Sequence, residues 1–258
     1  MAALVLLPIS GLPRIQPGDD LGQLLAEAIG EARVGAKAGD VLVVCQKVVS
    51  KAEGRVVDLA SVAPSSFAER FASENDKDAR VVELVLRESK RIVRMEGGHL
   101  IVETGPGWVC ANAGIDESNA ARNGQVTLLP LDADASAERL RRDLQSHLGV
   151  DFGILITDTF GRPWREGQVE FAIGVAGIEP LVDLRGTSDL NGHELRVTII
   201  GVADELACAA GLLMGKADGV AAVLVRGWSP PTPVVAPDPD RPRGGRALIR
   251  RRETDLFR

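Results

Sequence analysis

Residues 41–45, Val-Leu-Val-Val-Cys, are apolar at every position. A half-exposed strand alternates, and a surface helix repeats its apolar places every three or four residues. An unbroken apolar run of this length is what a strand covered on both faces requires. Residues 152–157 form a second such run, and residues 4–9 and 220–225 read as further short strands. Helical spacing appears elsewhere. Asp20 can N-cap a helix over residues 21–33, with Leu21, Leu24, Leu25, Ala28 and Ile29 on one face. Residues 64–91 read as one long helix carrying Val81, Val82, Leu84, Val85 and Leu86. Ser136 opens a helix to about Leu148, and residues 205–213 are helical after a strand over residues 195–202. Residues 99–103 and 107–110 flank a Gly-Pro-Gly turn and predict a hairpin, and residues 126–129 predict another strand. Strands and helices mix without strict alternation, so the fold class is α+β, with a mixed α/β sheet, rather than a doubly wound fold.

With 258 residues, 45% of them hydrophobic and 26% charged, the chain can bury a core without disulfide staples. Cys45, Cys110 and Cys208 are widely and irregularly spaced. They read as reduced, buried thiols rather than a zinc site or a disulfide framework. The apolar start, residues 1–8, lacks a basic leader region and is too short to span a bilayer. The expectation is therefore a cytoplasmic protein without membrane contact. A net charge of −6 and the lack of a long basic stripe argue against a nucleic-acid partner. Arginines gather only near the end, at Arg241, Arg243, Arg246 and 250–252, as a solvated tail or a phosphate site. Six prolines follow Trp228. The chain thus divides into a body, residues 1–228, of one large domain or two lobes, and a Pro/Arg-rich tail, residues 229–258, that belongs to the same domain.

Three polar segments carry chemistry. In residues 156–168, Ile-Thr-Asp-Thr-Phe-Gly-Arg-Pro-Trp-Arg-Glu-Gly-Gln, an apolar strand delivers Asp158 and Thr159 to its carboxyl end. A carboxylate beside a hydroxyl or carbonyl suits a hard divalent ion, and the nearby guanidinium forks of Arg162 and Arg165 suit phosphate or carboxylate. Residues 110–120, Cys-Ala-Asn-Ala-Gly-Ile-Asp-Glu-Ser-Asn-Ala, add the carboxylate of Asp116 and the amide of Asn119. Residues 45–54 place Lys47 and Lys51 one helical turn apart, within reach of phosphates. Taken singly, each segment also fits a blander role: a capped turn, a helix cap, solvated lysines. Residues 211–217, Gly-Leu-Leu-Met-Gly-Lys-Ala, lack P-loop spacing, and no GxGxxG follows a strand.

Together these segments resemble the coenzyme F420-0:γ-glutamyl ligase family. The similarity runs in order through the opening residues 6–21, residues 39–55, the Cys-Ala-Asn-Ala-Gly-Ile-Asp-Glu-Ser-Asn stretch, residues 128–141, the Asp158 segment, residues 191–195, 202–210 and 214–227, and the closing Glu-Thr-Asp-Leu-Phe. The resemblance implies a two-lobed ligase fold with mixed sheets and an intertwined homodimer. It implies the single-function form, without the reductase-like domain of bifunctional relatives, as the expectation for this chain. It implies a reaction in which GTP phosphorylates the terminal carboxylate of F420-0, L-glutamate attacks the acyl phosphate, and GDP and phosphate leave, with γ-linked extension in later rounds. Implied cofactors are Mg²⁺ or Mn²⁺, two per site, with K⁺ a further candidate.

Carried over by position, Asp116 and Asp158 are the first ion's ligands, and Thr159 is a ligand of the second. Leu12, Pro13, Arg14, Ile15, Gln46, Lys51, Asn119 and the stretch around Gly215 match nucleotide-contacting positions. Gln46 stands where relatives often carry a small hydroxyl residue. Lys216 stands where others offer Glu or Gln, and an ammonium cannot coordinate a metal. Arg162 and Arg165 are read as a phosphate clamp. The alternatives left open are a non-catalytic deazaflavin- or nucleotide-binding protein and a metal-dependent phosphohydrolase.

Overall fold

The computed structural model describes residues 3–117, 124–216, 218–229 and 241–255. In chain order the elements are β1 (Val5–Ile9), α1 (Leu21–Glu31), β2 (Val41–Cys45), α2 (Gln46–Ala52), β3 (Val56–Asp58), α3 (Ser66–Asn75), α4 (Ala79–Glu88), β4 (Ser89–Glu96), β5 (His99–Thr104), β6 (Val109–Ala111), β7 (Gln125–Thr127), α5 (Ala133–Leu148), β8 (Gly153–Arg162), β9 (Arg165–Ala176), β10 (Val182–Asp183), β11 (Ile199–Ile200), α6 (Val202–Met214) and β12 (Ala222–Arg226). This is the mixed α+β content expected.

The apolar runs become the centre of a five-stranded sheet ordered β1-β12-β2-β8-β9, in which only β2 and β8 run parallel. Its two faces bury different sets of side chains, as period-two alternation dictates. Leu42, Val44, Ile154, Ile156 and Leu224 pack under α1 and α5. Val41, Val43, Leu155, Val223 and Val225 pack under α6. A smaller layer lies beside it. There the meander β4-β5-β6 packs on α3 and α4 through Phe71, Val82, Val85, Leu100 and Val102. The pair β3-β7 joins the two parts.

Several sequence expectations hold closely. Asp20 caps α1, its Oδ1 accepting from Gln23 N at 2.9 Å, and β5 pairs with β6 as a hairpin. Others need correction. Residues 64–91 are two helices and the start of a strand. Asp76 adopts a left-handed conformation, φ 52°, ending α3, and Asp78 caps α4 anew. The helix expected at Ser136 begins at Ala133, because Asp132 rather than Ser136 accepts the first-turn N–H, from Ala135. Within residues 195–202 only β11 is strand. Asp158 and Thr159 are not at a strand end, since β8 continues to Arg162 and turns back as the long strand β9. The tail's described part, residues 241–255, lies against the body. Gly245 N donates to Asp134 Oδ1 at 2.6 Å, beside Val175 N at 2.9 Å. Among the described residues no helix is long and apolar enough to cross a membrane.

Candidate active site

Asp158 follows Ile154 and Ile156 on the α1/α5 face of the sheet, with Phe160 beyond it. It pairs across the hairpin with Phe171, whose ring lies 5.8 Å from that of Phe160. Burial among these groups pushes its carboxyl up to about 7. The Thr159 N–H opposes the rise, the charges of Glu170 and Asp116 add to it, and the Gln46 amide partly offsets it. Gln46 opens α2 directly after β2 and is wholly buried. Its Oε1 accepts from Ser50 Oγ at 2.8 Å, while its Nε2 faces the acid without completing a hydrogen bond of good geometry.

Asp116 reaches the same place from the smaller layer. Asn112, Ala113 and Gly114 take left-handed φ values of 51°, 54° and 68° in succession. Such geometry costs a non-glycine residue on the order of 1–3 kcal/mol and gathers at functional sites. The contorted turn delivers Asp116 to a two-way backbone bridge with Thr127. There its Oδ2 meets Lys47 Nζ at 2.5 Å. Lys51, on the same helix, has its ammonium pKa lowered by burial and by the charges of Lys47 and Arg14, against the raising influence of Cys45 and Asp116. Arg14 arrives on the loop after β1. That loop is pinned by Ile15 in the core, by Leu12 half-buried on the same core, and by Gly18 N donating to Ala52 O at 2.9 Å. Pro13 and Arg14 themselves are exposed. The fold thus gathers Arg14, Gln46, Lys47, Lys51, Asp116 and Asp158 from four distant segments. Asn119 lies outside the described residues.

The remaining predicted residues stand apart. Thr159 points to the opposite, α6 face, in line with Leu155. Its hydroxyl donates to Glu170 Oε1 at 2.6 Å and accepts from Lys216 Nζ at 2.7 Å. Gly215 ends α6 at φ 57° and ψ −163°; a Cβ there would lie 2.0 Å from Asp218 Oδ2, so only glycine fits. Arg162 and Arg165 face each other at the hairpin tip, four residues and roughly 13 Å of strand beyond Asp158. Arg162 Nη1 is buried without a partner, and Arg165 is exposed. Between them Trp164 holds φ 62° with 86% of its surface exposed. Glu170 was missed in the sequence.

Among the described residues no three His, Cys, Asp or Glu side chains close around a common point to cage a metal. The arrangement still fits a divalent ion of the Mg²⁺ kind, which takes one or two carboxylates and completes its shell with substrate phosphates and water. Asp158 is a half-buried carboxylate whose pKa is raised by desolvation and by the charges of Glu170 and Asp116.

The sequence profile of the F420-0:Gamma-glutamyl ligase family matches residues 11–227, a span that includes every residue of this site. The chain belongs to that family. Among similar curated proteins, the coenzyme F420:L-glutamate ligase of Methanopyrus kandleri is 47% identical, with all of both chains covered. The enzyme of the same name from Methanothermobacter thermautotrophicus is 44% identical over 98% of each. That from Archaeoglobus fulgidus is 47% identical over 85% of this chain and 86% of its own. In this member of the F420-0:γ-glutamyl ligase family, then, three consecutive left-handed residues precede Asp116, while Asp158 lies within the strand β8.

Proposed function

We propose that this chain joins L-glutamate to coenzyme F420-0 at the expense of GTP, releasing GDP and phosphate, and lengthens the product by γ-linked glutamates. The observation that carries this reading is the half-buried carboxylate of Asp158, its charge set against that of Asp116, which in turn is met by Lys47 with Lys51 and Arg14 close by. The names of the Methanopyrus kandleri and Methanothermobacter thermautotrophicus relatives, which match at least 98% of the chain, support the ligation of glutamate.

A carboxylate and an amine do not condense unaided at neutral pH, so one must be activated. The acceptor carboxylate attacks the γ-phosphorus of GTP. Its new O–P bond forms as the bridge to the β-phosphate breaks, and GDP leaves. The α-amine of glutamate then attacks the acyl carbon. A C–N bond forms, the C–O bond to phosphate breaks, and the amine's surplus proton passes to phosphate or water. Little covalent help is needed, and positioning and charge neutralisation carry the rate. Asp116 and Asp158 would hold Mg²⁺ or Mn²⁺, which supplies charge neutralisation between phosphate oxygens. Lys47, held by Asp116 at 2.5 Å, turns its ammonium to a phosphate oxygen once its partner is engaged. Lys51 and Arg14 bind the remaining phosphate charge. The loop of Leu12 and Pro13 would face the nucleoside, and Arg162 and Arg165 would reach the transferring group from the hairpin tip. The working unit is a homodimer, with K⁺ a further candidate ligand.

Mass spectrometry of the protein incubated with F420-0, GTP, L-glutamate and Mn²⁺ tests this. The expected product is heavier by one glutamyl unit, and one GDP and one phosphate appear per addition. Phosphate released from GTP without acceptor or glutamate would instead identify a phosphohydrolase. Binding without turnover would identify a carrier.

A further inference from the structure

Thr159 was expected to help hold a second cation, but its hydroxyl is already engaged on both sides. Strand alternation turns it away from Asp158, toward α6. The glycine turn at Gly215 swings Lys216 back so that its Nζ donates to Thr159 Oγ1 at 2.7 Å. The hydroxyl passes its own proton to Glu170 Oε1 at 2.6 Å. Glu170 is held in place by its position opposite Thr159 in the hairpin and by α6. A Cβ on Gly211 would come within 2.6 Å of Glu170 Cγ, and the Cys208 thiol donates to the Glu170 carbonyl at 3.2 Å. The second carboxylate oxygen of Glu170 is buried without a hydrogen bond. On this face one ammonium therefore balances one carboxylate through a shared hydroxyl. A divalent ion on that hydroxyl would stand in direct contact range of the Lys216 ammonium, and two cations at that distance repel each other even where the lysine is exposed.

We propose that the Lys216 ammonium fills the place of a second cation, so that this chain takes one divalent ion, on the Asp116–Asp158 face, with Lys216, Thr159 and Glu170 linked as a hydrogen-bonded chain on the other. The inference rests on the ligase reading only for the first ion's site. It assigns Glu170 a positioning role: the residue holds Lys216 over the hairpin rather than touching substrate.

Counting bound Mn²⁺ tests it without reference to turnover. The full chain is titrated with Mn²⁺ in the presence of saturating GDP, and free ion is followed by its electron paramagnetic resonance signal. One ion per chain is expected. Lys216→Gln removes the ammonium and supplies a neutral oxygen, and should bind two. Adding Glu170→Gln to that variant should return the count to one. Two ions on the parent chain would overturn the proposal, as would a single ion on a Lys216→Gln chain whose circular dichroism matches the parent. No ion on the parent chain would sink the Asp116–Asp158 site itself, and the ligase reading with it.

Discussion

Between Ile156 and Phe160 a strand residue packed under α1 and α5 would ordinarily be apolar, and Asp158 is not. Its carboxyl sits near 7 rather than 3.8, chiefly because burial penalises the charge. Below about pH 4 the group is protonated in both the folded and the unfolded chain, and the shift has no consequence. Between about 4 and 7 the unfolded chain releases its proton while the folded one keeps it, so stability falls as pH rises. Above about 7 the full penalty stands, on the order of 4 kcal/mol for the metal-free protein. Asp158→Asn should therefore melt several degrees above the parent at pH 8 without metal, with the gap narrowing by pH 5, while ligation is lost. Differential scanning calorimetry at the two pH values decides this, and a variant that melts below the parent at pH 8 would remove the argument. Arg165 invites the opposite test. It is exposed and lies at the hairpin tip, so Arg165→Ala should leave the melting temperature within about a degree. Turnover should drop roughly a hundredfold if the guanidinium grips the transferring phosphoryl group. A loss of only a few-fold in steady-state rate would dismiss the clamp. The residue types at 116, 158, 47 and 51 were readable in the sequence because carboxylates and lysines next to apolar strands are conspicuous. Glu170 was not. Simple counting from the pair Arg162–Arg165 places Gln168 opposite Thr159, but two extra residues on β9, Glu166 and Gly167, shift the register so that Gly161 faces Gln168 and Thr159 faces Glu170.

That register shift belongs to a strand with other irregularities, and they explain what the sequence hid at the level of elements. The helices with strong caps, α1 above all, could be located from an aspartate followed by apolar positions at helical spacing. The runs at β2 and the start of β8 could be located because both sides of each strand are buried. The strand β9 was missed because its first half is polar and exposed, and β4 because it alternates weakly beyond a helix that has no glycine or proline to end it. Asp76, left-handed without being glycine, hid the break between α3 and α4 for the same reason. As an edge strand with a second register shift near Ile156, β9 leaves two N–H groups without strand partners. Asp204 from α6 takes that of Ala172 at 2.9 Å, and Asp134 from α5 takes that of Val175. Asp134 Oδ1 also binds Gly245 N, so one carboxylate ties the sheet edge to the tail. Asp134→Ala should lower stability by about 2–3 kcal/mol, the cost of two charge-assisted bonds and two stranded donors. Hydrogen exchange at residues 244–248 should quicken at the same time. Destabilisation with the tail still protected would show that side-chain packing, such as that of Ala247, holds the tail instead.

For the whole molecule, the site's components are too far apart in sequence to be held by any one element. The loop carrying Arg14 and the helix α2 belong to the large sheet's N-terminal side. The strained turn before Asp116 belongs to the smaller layer, and Asp158 belongs to the sheet's middle. Without ligand, the cross-connection between layers at this point includes the Lys47–Asp116 pair, which is partly exposed and so worth little. An ion bound without nucleotide must displace that lysine, and a nucleotide without the ion must set its phosphates against Asp116 and Asp158. Each ligand alone therefore binds against a charge that the other would remove, and the two should bind with positive coupling, typically 1–3 kcal/mol for linked sites. A ligand at a hundred times its dissociation constant stabilises the fold by about 2.7 kcal/mol. In a chain of this size that raises the melting temperature by about 5–10 °C. Mn²⁺ and GDP together should thus shift the melting temperature by clearly more than the sum of their separate shifts. In Asp116→Asn the surplus should vanish, because the nucleotide no longer meets that charge and the ion loses a ligand. Strictly additive shifts in the parent chain, at concentrations where each ligand binds, would mean that Asp116 and Asp158 do not share their cation with the phosphates.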